Sequence, residues 1–322
     1  MVNKREFTYD SGDGKNKIHA IEWSPDGEPI QGVLQIVHGM VEYIDRYDNF
    51  ARFLAERGLV VVGNDHLGHG ATAASREDYG FFHETNGNQI VLKDIHQLKK
   101  KTKSRYPGKP YFMLGHSMGS FLVRQYLCLL GSELDGAVIM GTGSQPESVL
   151  RLGKTLCWLQ AKLFGWHHRS KLIDTMAFGG YHKKFEPCRT RYDWLTKDTE
   201  IVDAYAASEW CTFRFTINGY FNLFTSIEAA SDQENLQRMP KKLPVLFVAG
   251  AEDPVGNFGK GVEEVCKRFE SVGMEDLTWI LYENDRHEIL NETDRAKVYQ
   301  DIYAWIYVHI QDVIGLRNVR RL

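Results

Sequence analysis

The feature that most constrains this chain is a tight, glycine-flanked turn between a short apolar run and a helix-forming segment. Residues 115–119 read Gly-His-Ser-Met-Gly. The apolar run at residues 111–114 predicts a strand, and residues 118–130 predict a helix. A glycine on each side of the turn predicts that neighbouring backbone comes too close for larger side chains. The turn therefore predicts that Ser117 lies at its tip with an accessible hydroxyl group.

Strand-like and helix-like segments alternate along most of the chain. Such alternation predicts a mostly parallel central sheet with helices on both faces, which is an α/β fold. The turn-rich residues 11–14 lie between two early strand patterns and predict an antiparallel start to the sheet. The apolar runs that predict buried strands are residues 33–37, 59–62, 111–114, 137–140, 245–248 and 277–281.

The alternation stops between residues 144 and 238, where no strand-like run occurs and aromatic residues are dense. We predict a mainly helical cap over residues 144–238, inserted between core segments 1–143 and 239–322. Its aromatic residues have two interpretations: they pack the cap onto the core, or some of them line an apolar tunnel above Ser117. The candidates for a tunnel wall are Trp158, Phe178, Trp194, Phe213 and Phe215.

A serine hydroxyl is a weak nucleophile that needs a base, and the base needs an acid to orient it. When the nucleophile lies on a strand–turn–helix of this kind, the acid and then the histidine follow it in the chain. Asp253 follows the predicted strand at 245–248, and His287 follows the one at 277–281. We predict a triad of Ser117, Asp253 and His287. Glu252 and Asp285 remain competitors for the role of the acid.

An ester carbonyl becomes an oxyanion in the transition state and needs two backbone N–H donors already in place. One donor is expected from Met118, the residue after the predicted nucleophile. The second is expected from Met40, in the loop after the strand at residues 33–37. We predict that His38 shapes this loop and does not act as a base.

The sequence argues against nucleic-acid binding, nucleotide binding and metal binding. The net charge is −3, so a nucleic-acid partner is not expected. No glycine-rich nucleotide motif occurs, and the His66-x-x-His69 pair has no acidic or cysteine partner pattern. We therefore predict no cofactor and no metal. Without a signal sequence or an apolar run that spans a membrane, the expected location is the cytoplasm, with at most transient contact with a membrane or micelle surface.

Four motifs occur in order: residues 38–47 (His-Gly-Met-Val-Glu-Tyr-Ile-Asp-Arg-Tyr), 65–70 (Asp-His-Leu-Gly-His-Gly), 115–119, and 253–256 (Asp-Pro-Val-Gly). Together they resemble the monoacylglycerol lipase and lysophospholipase branch of the α/β-hydrolases, which is similar to the S33 serine aminopeptidases. The resemblance spans about residues 20–310. It implies the α/β-hydrolase fold, a cap over the active site, the triad named above and no cofactor. Tyr43 and Ala71 depart from the family pattern, which usually has histidine and serine there.

The triad and the resemblance together predict a carboxylic-ester hydrolase that acts on a small lipid-like ester through an acyl-enzyme. A thioesterase or an aminopeptidase would use the same triad, so both remain open. A non-catalytic binding protein on the same fold is a third interpretation. The complete triad argues against it, because a binding protein has no need of all three groups.

Overall fold

The computed structural model describes residues 1–27 and 29–319, and a single mixed sheet forms its centre. The strands are β1 Val2–Asp10, β2 Lys17–Pro25, β3 Gly32–Val37, β4 Leu59–Asn64, β5 Tyr111–His116, β6 Gly136–Met140, β7 Val245–Gly250 and β8 Leu277–Tyr282. Their spatial order is β1-β2-β4-β3-β5-β6-β7-β8. β2 pairs antiparallel with β1 and β4, and the strands from β4 to β8 run parallel. The predicted antiparallel start and parallel remainder are confirmed.

Ten α-helices surround the sheet within the described residues. They are α1 Asp48–Ala55, α2 Gly87–Arg105, α3 Met118–Leu130, α4 Glu147–Phe164, α5 Lys171–Phe178, α6 Thr199–Ala207, α7 Ile217–Ser231, α8 Gln233–Gln237, α9 Lys260–Ser271 and α10 Arg295–Val319. The apolar face of α10 packs against the second core as far as Ile310. Helix α10 continues beyond that point without an apolar repeat, because residues 311–315 lie mostly in solvent.

Two apolar cores, one on each face of the sheet, hold these layers together. Along β5, Tyr111 and Met113 face one core, while Phe112 and Leu114 face the other. Helices α2, α3 and α9 cover the first core, and α1 and α10 cover the second. All six residues of β5 are buried, as expected of a central parallel strand covered on both faces.

The predicted cap segment, residues 144–238, is fully described, and it contains five helices, α4 to α8, and no strand. Helix α7 also belongs to the first core, where Tyr220 and Ile227 are buried. A side chain of α7 holds the first turn of α2, because the Asn88 N–H donates to Asn222 Oδ1 at 2.8 Å. One end of this helical segment is therefore continuous with the core. The last three residues of the predicted second core segment, 320–322, lie outside the described residues.

The parallel strands end at one edge of the sheet, which is where ligands bind in open α/β sheets. Ser117 follows β5, Asp253 follows β7 and His287 follows β8. The loop that carries Met40 follows β3 at the same edge. The topology thus brings the predicted site residues to one edge of the sheet, although they are spread over almost 250 positions of the sequence. Among the described residues, no helix is long and apolar enough to cross a membrane.

Candidate active site

Ser117 lies at the sharp turn from β5 into α3, as predicted. Its backbone has φ 51° and ψ −118°, a conformation that residues with a side chain rarely adopt. Such a conformation costs about 1–3 kcal/mol and persists only where the surroundings impose it. Here the Ser117 N–H donates to the Met140 carbonyl at 3.0 Å, which ties the turn to β6.

The two glycines of the motif are required by close backbone approach. A Cβ at Gly119 would lie 1.9 Å from the Val37 carbonyl oxygen, and one at Gly115 would lie 2.3 Å from the Gly119 carbonyl oxygen. Neither position has room for a methyl group. Backbone geometry, and not the flexibility of glycine, therefore explains the Gly-x-Ser-x-Gly pattern.

His287 and Asp253 are brought into direct contact. His287 Nδ1 lies 2.9 Å from Asp253 Oδ2, and both side chains are buried. The Val255 N–H donates to the other carboxylate oxygen at 2.8 Å and fixes its orientation. Ser117 and His287 line the same cavity, but within the described residues no hydrogen bond joins their side chains. Such contacts are often long before a substrate binds.

The competitors for the role of the acid point elsewhere. Glu252 is about one-third exposed and faces Lys184 at 3.9 Å. Asp285 is buried and accepts a hydrogen bond from Lys197 Nζ at 2.9 Å, while burial raises the pKa of its carboxyl to about 6. Of the three acids, only Asp253 contacts the His287 ring.

The loop after β3 is held in a defined shape beside Ser117. Met40 and Met118 both line the cavity, and the Met118 amide lies in the first turn of α3, where N–H groups have no acceptor within the helix. The Gly39 N–H donates to Glu42 Oε1. His38 is buried, and burial lowers the pKa of its ring. Its Nε2 accepts from the His66 N–H at 3.0 Å, so His38 supports the loop as a neutral ring.

A buried ionic network lies beneath these loops, and the sequence did not predict it. Arg46 donates to both Glu288 carboxylate oxygens at 2.7 Å and to Glu42 Oε2 at 3.0 Å. Glu42 Oε1 in turn lies 3.0 Å from His116 Nδ1. The network links residues next to Met40, Ser117 and His287. The Glu-x-x-x-Arg spacing in the 38–47 motif was the available signal, but its partner Glu288 lies 242 residues away.

The network shifts pKa values in opposite directions. Burial alone would raise the pKa of Glu42 and Glu288 above their ordinary 4.5. The hydrogen bond with His116 instead lowers the pKa of Glu42, and the charge and hydrogen bonds of Arg46 lower that of Glu288. Burial alone would lower the pKa of His116, but Glu42 raises it above 6.5. The lowered carboxyls stabilise the fold above pH 4.5 and lose that effect at lower pH. The raised histidine stabilises it below pH 6.5, so the network contributes most between these values.

We expect Glu288→Gln to lower the free energy of unfolding by about 3–5 kcal/mol, because it leaves the buried Arg46 guanidinium only partly compensated. Urea unfolding at about pH 6 checks this value, and the difference from wild type should shrink as the solution becomes more acidic. Glu209→Gln is the matched control, since Glu209 pairs with Arg76 on the exposed surface. Equal stabilities of the two variants at about pH 6 would contradict the network's role.

A cavity of about 700 Å³ opens above Ser117, between the sheet edge and helices α4, α5 and α7. Phe178, Trp194 and Phe213 line it, and the Trp194 ring lies 5.1 Å from the His287 ring. The predictions for the other two aromatic residues were wrong. Trp158 is 49% exposed on α4, outside the cavity, and Phe215 is fully buried against His69 and other rings. Aromatic content alone does not show which side of a helix faces the cavity.

The two departures from the family pattern lie outside the cavity lining. Tyr43 packs its ring against Trp210 of the cap at 4.9 Å, and the Ala71 N–H donates to Asp65 Oδ2 at 2.9 Å. The His66 and His69 rings are buried beside His38. The described residues contain no group of three or more histidine, cysteine or acidic side chains that could hold a metal ion.

Comparisons with known sequences match this chain to a family of hydrolases and to lipases. The sequence model of a family described as serine aminopeptidase, S33, matches residues 28–294. The human monoglyceride lipase is 36% identical over 289 residues, which cover 88% of this chain and 84% of that protein. The monoacylglycerol lipase of Mycolicibacterium smegmatis is 25% identical over 308 residues, which cover 93% and 96%.

A solved structure agrees with these relatives. The thermostable carboxyl esterase of Bacillus coagulans, solved in complex with glycerol, superposes with a TM-score of 0.88 at 30% identity. The superposition covers 95% of this chain and 99% of the esterase. The agreement therefore includes the helical segment above the sheet as well as the sheet itself.

Proposed function

Because the chain belongs to the serine aminopeptidase S33 family and is an α/β-hydrolase enzyme, we propose that it cleaves carboxylic esters through a serine-bound acyl-enzyme. The observation that carries the proposal is the 2.9 Å contact between His287 and Asp253 beside the cavity that Ser117 lines. Labelling with a fluorophosphonate probe, together with turnover of matched ester, thioester and aminoacyl substrates, tests it. Labelling without ester turnover would point to a thioesterase or an aminopeptidase. Absence of both would point to a binding protein.

In the proposed mechanism, the Ser117 hydroxyl attacks the ester carbonyl carbon while His287 Nε2 takes its proton. Asp253 holds the ring through Nδ1 and stabilises its positive charge. The Met40 and Met118 amides donate to the oxyanion. The carbonyl then re-forms, and the alcohol leaves with the proton from His287. A water molecule, activated by the same histidine, releases the acid and restores Ser117.

We propose a single-chain, lipid-like ester as the substrate, with a monoacylglycerol or a lysophospholipid as the type. Apolar side chains from the core and the cap line the cavity, among them Met118, Phe121, Phe178 and Leu223. Apolar side chains of this kind suit an acyl chain. The relatives named monoglyceride lipases from human and Mycolicibacterium smegmatis support the same class.

Acyl chain length should have a strong effect on kcat/KM. Each buried methylene is worth about 0.8 kcal/mol, so we expect roughly a fourfold rise per added carbon until the cavity is full. Phe178→Ala and Phe213→Ala enlarge the cavity and should shift the preferred chain length upward. The measurement is kcat/KM for glycerol monoesters from acetate to palmitate.

Trp158→Ala is the matched control, since this aromatic side chain lies in the cap but outside the cavity. It should leave the chain-length profile unchanged. A flat profile in the wild-type enzyme would contradict an acyl-binding cavity. The cap would then serve packing alone, and a small polar ester would be the better substrate.

We propose that this enzyme meets its substrate at a lipid surface through transient contact. Exposed apolar side chains of α4 and α5 surround the mouth of the cavity, among them Val149, Leu152 and Met176, each more than half exposed. An exposed apolar patch beside a lipid-binding cavity is typical of such contact. We propose a cytoplasmic location, because the five cysteines are all free, as is usual in a reducing compartment.

A further inference from the structure

Among the described residues that the cap contributes to the cavity lining, three side chains are cationic and one is a carboxylate. Lys171, Arg191 and Arg214 line the cavity together with Asp174. Arg214 Nε lies 3.3 Å from Asp174 Oδ2, and an Arg191 Nη lies 3.8 Å from the same oxygen. Lys171 forms no ion pair with any described residue. This wall of the cavity therefore carries an excess of positive charge.

The Asp174 carboxylate cannot satisfy these groups. Its other oxygen, Oδ1, accepts a hydrogen bond from the Tyr220 hydroxyl at 2.6 Å, which fixes the carboxylate in place. Within the described part of the chain, neither guanidinium donates a hydrogen bond to another protein group. Each guanidinium has five N–H donors, so most of them remain available to a ligand.

Both arginines project from backbone that is held in place by other arginines. Arg169 donates to the carbonyl of Arg214, and Arg286 donates to the carbonyl of Asp193, two residues after Arg191. The Asp193 carboxylate also accepts from the Thr190 N–H at 3.1 Å. Anchored backbone lowers the entropy lost when a side chain engages a ligand. The backbone that carries the two guanidinium groups is thus fixed beside the cavity, while the Arg191 side chain remains 65% exposed and accessible to a ligand.

From this charge excess we infer that Lys171, Arg191 and Arg214 form an anion-binding subsite, and that the preferred substrate is a single-chain ester that carries a negative charge. This inference rests on the proposed function and narrows its substrate class. Guanidinium groups bind phosphate and carboxylate through paired hydrogen bonds. Two sources would supply the charge: the phosphate of a lysophospholipid headgroup, or a carboxylate at the far end of the acyl chain.

Matched pairs of substrates separate these sources. The first pair is 1-lauroylglycerol and 1-lauroyl-lysophosphatidate, and the second is methyl laurate and the monomethyl ester of dodecanedioic acid. In one of the pairs we expect the charged member to have the higher kcat/KM, by roughly tenfold or more, and added salt to reduce the preference. The pair that shows the preference identifies the position of the charge. Equal kcat/KM within both pairs would overturn the inference.

The double variant Arg191→Gln/Arg214→Gln should lower the charged-to-neutral ratio by roughly 10- to 100-fold. Arg151→Gln is the matched control, because Arg151 is an exposed arginine of α4 that pairs with Glu147 outside the cavity. It should keep the wild-type ratio. Should the double variant fail to fold, Lys171→Gln, at an exposed position, provides the same comparison with a smaller expected loss.

A binding measurement separates failure of the subsite from failure of the proposed function. Decyl phosphate and decanol differ in charge and need no turnover, so calorimetry measures their affinities directly. We expect decyl phosphate to bind the wild-type protein roughly tenfold or more tightly than it binds the double variant, and decanol to show no such difference. If the protein hydrolyses no ester but retains this difference in affinity, the anion-binding subsite is supported and the proposed esterase function is contradicted. Equal decyl phosphate affinities would overturn the subsite even if esters are cleaved.

Discussion

Ser117→Ala should reduce ester turnover by about three to six orders of magnitude. In the proposed mechanism the variant loses the oxygen that forms the acyl bond, whereas the apolar cavity and the proposed oxyanion donors remain. Residual activity should therefore reflect water attack in a preorganised site. The measurements are kcat for a lauroyl ester and covalent labelling by a fluorophosphonate probe, and labelling should be lost.

The fold of this variant should be unchanged, because alanine removes only one oxygen at a half-buried position. Circular dichroism and thermal unfolding provide the check. Ser120→Ala is a suitable control, since Ser120 lies one turn further along α3 and its hydroxyl donates to the Ser117 carbonyl at 2.6 Å. It should still react with the probe. Labelling of Ser117→Ala at the wild-type rate would assign the nucleophile to another residue.

Replacement of the proposed base or of its proposed acid should have the second-largest effect. We expect His287→Ala and Asp253→Asn each to lower kcat by about 10³- to 10⁴-fold. In the proposed mechanism His287 accepts the serine proton, and without the Asp253 carboxylate the ring loses the group 2.9 Å from Nδ1 that fixes its orientation. The double variant should be little worse than either single variant, because residues that act as a unit are not additive.

Two neighbouring acids provide controls for Asp253. Glu252→Gln alters a partly exposed side chain that faces Lys184, and it should retain kcat within a few-fold. Asp285→Asn resembles the protonated form that its raised pKa, about 6, makes accessible. It should also retain most activity. If Asp285→Asn were as damaging as Asp253→Asn, the contact seen in the structure would not identify the acid.

Local patterns explain why much of the fold was predictable. The sheet follows from short apolar runs such as that of β5, and each of these is a property of a few consecutive residues. The turn at Ser117 was also predictable from consecutive residues, because Gly115 and Gly119 occupy positions where a larger side chain would clash with the backbone. The order of the strands and the rule that parallel strands end at one edge then brought Asp253 and His287 to the same side.

What the sequence could not predict depends on distant partners or on the direction of a side chain. Arg46 and Glu288 form one buried pair across 242 positions, and neither has a local signal of burial. Trp158 and Phe178 are both aromatic residues of the cap, yet one faces solvent and the other the cavity. Helix periodicity indicates that a helix has an apolar side, but in a cap that side can meet solvent, core or ligand.

At Ser117, the hydroxyl group that the proposed mechanism requires and the stability of the fold favour different residues. Glycine adopts a positive φ with little penalty, so the residue that would relax the turn is one that has no hydroxyl group. A search for heat-resistant variants, made without an assay for turnover, would reward the loss of the serine. A related sequence with glycine at the tip of this turn is therefore expected to fold stably and to lack esterase activity.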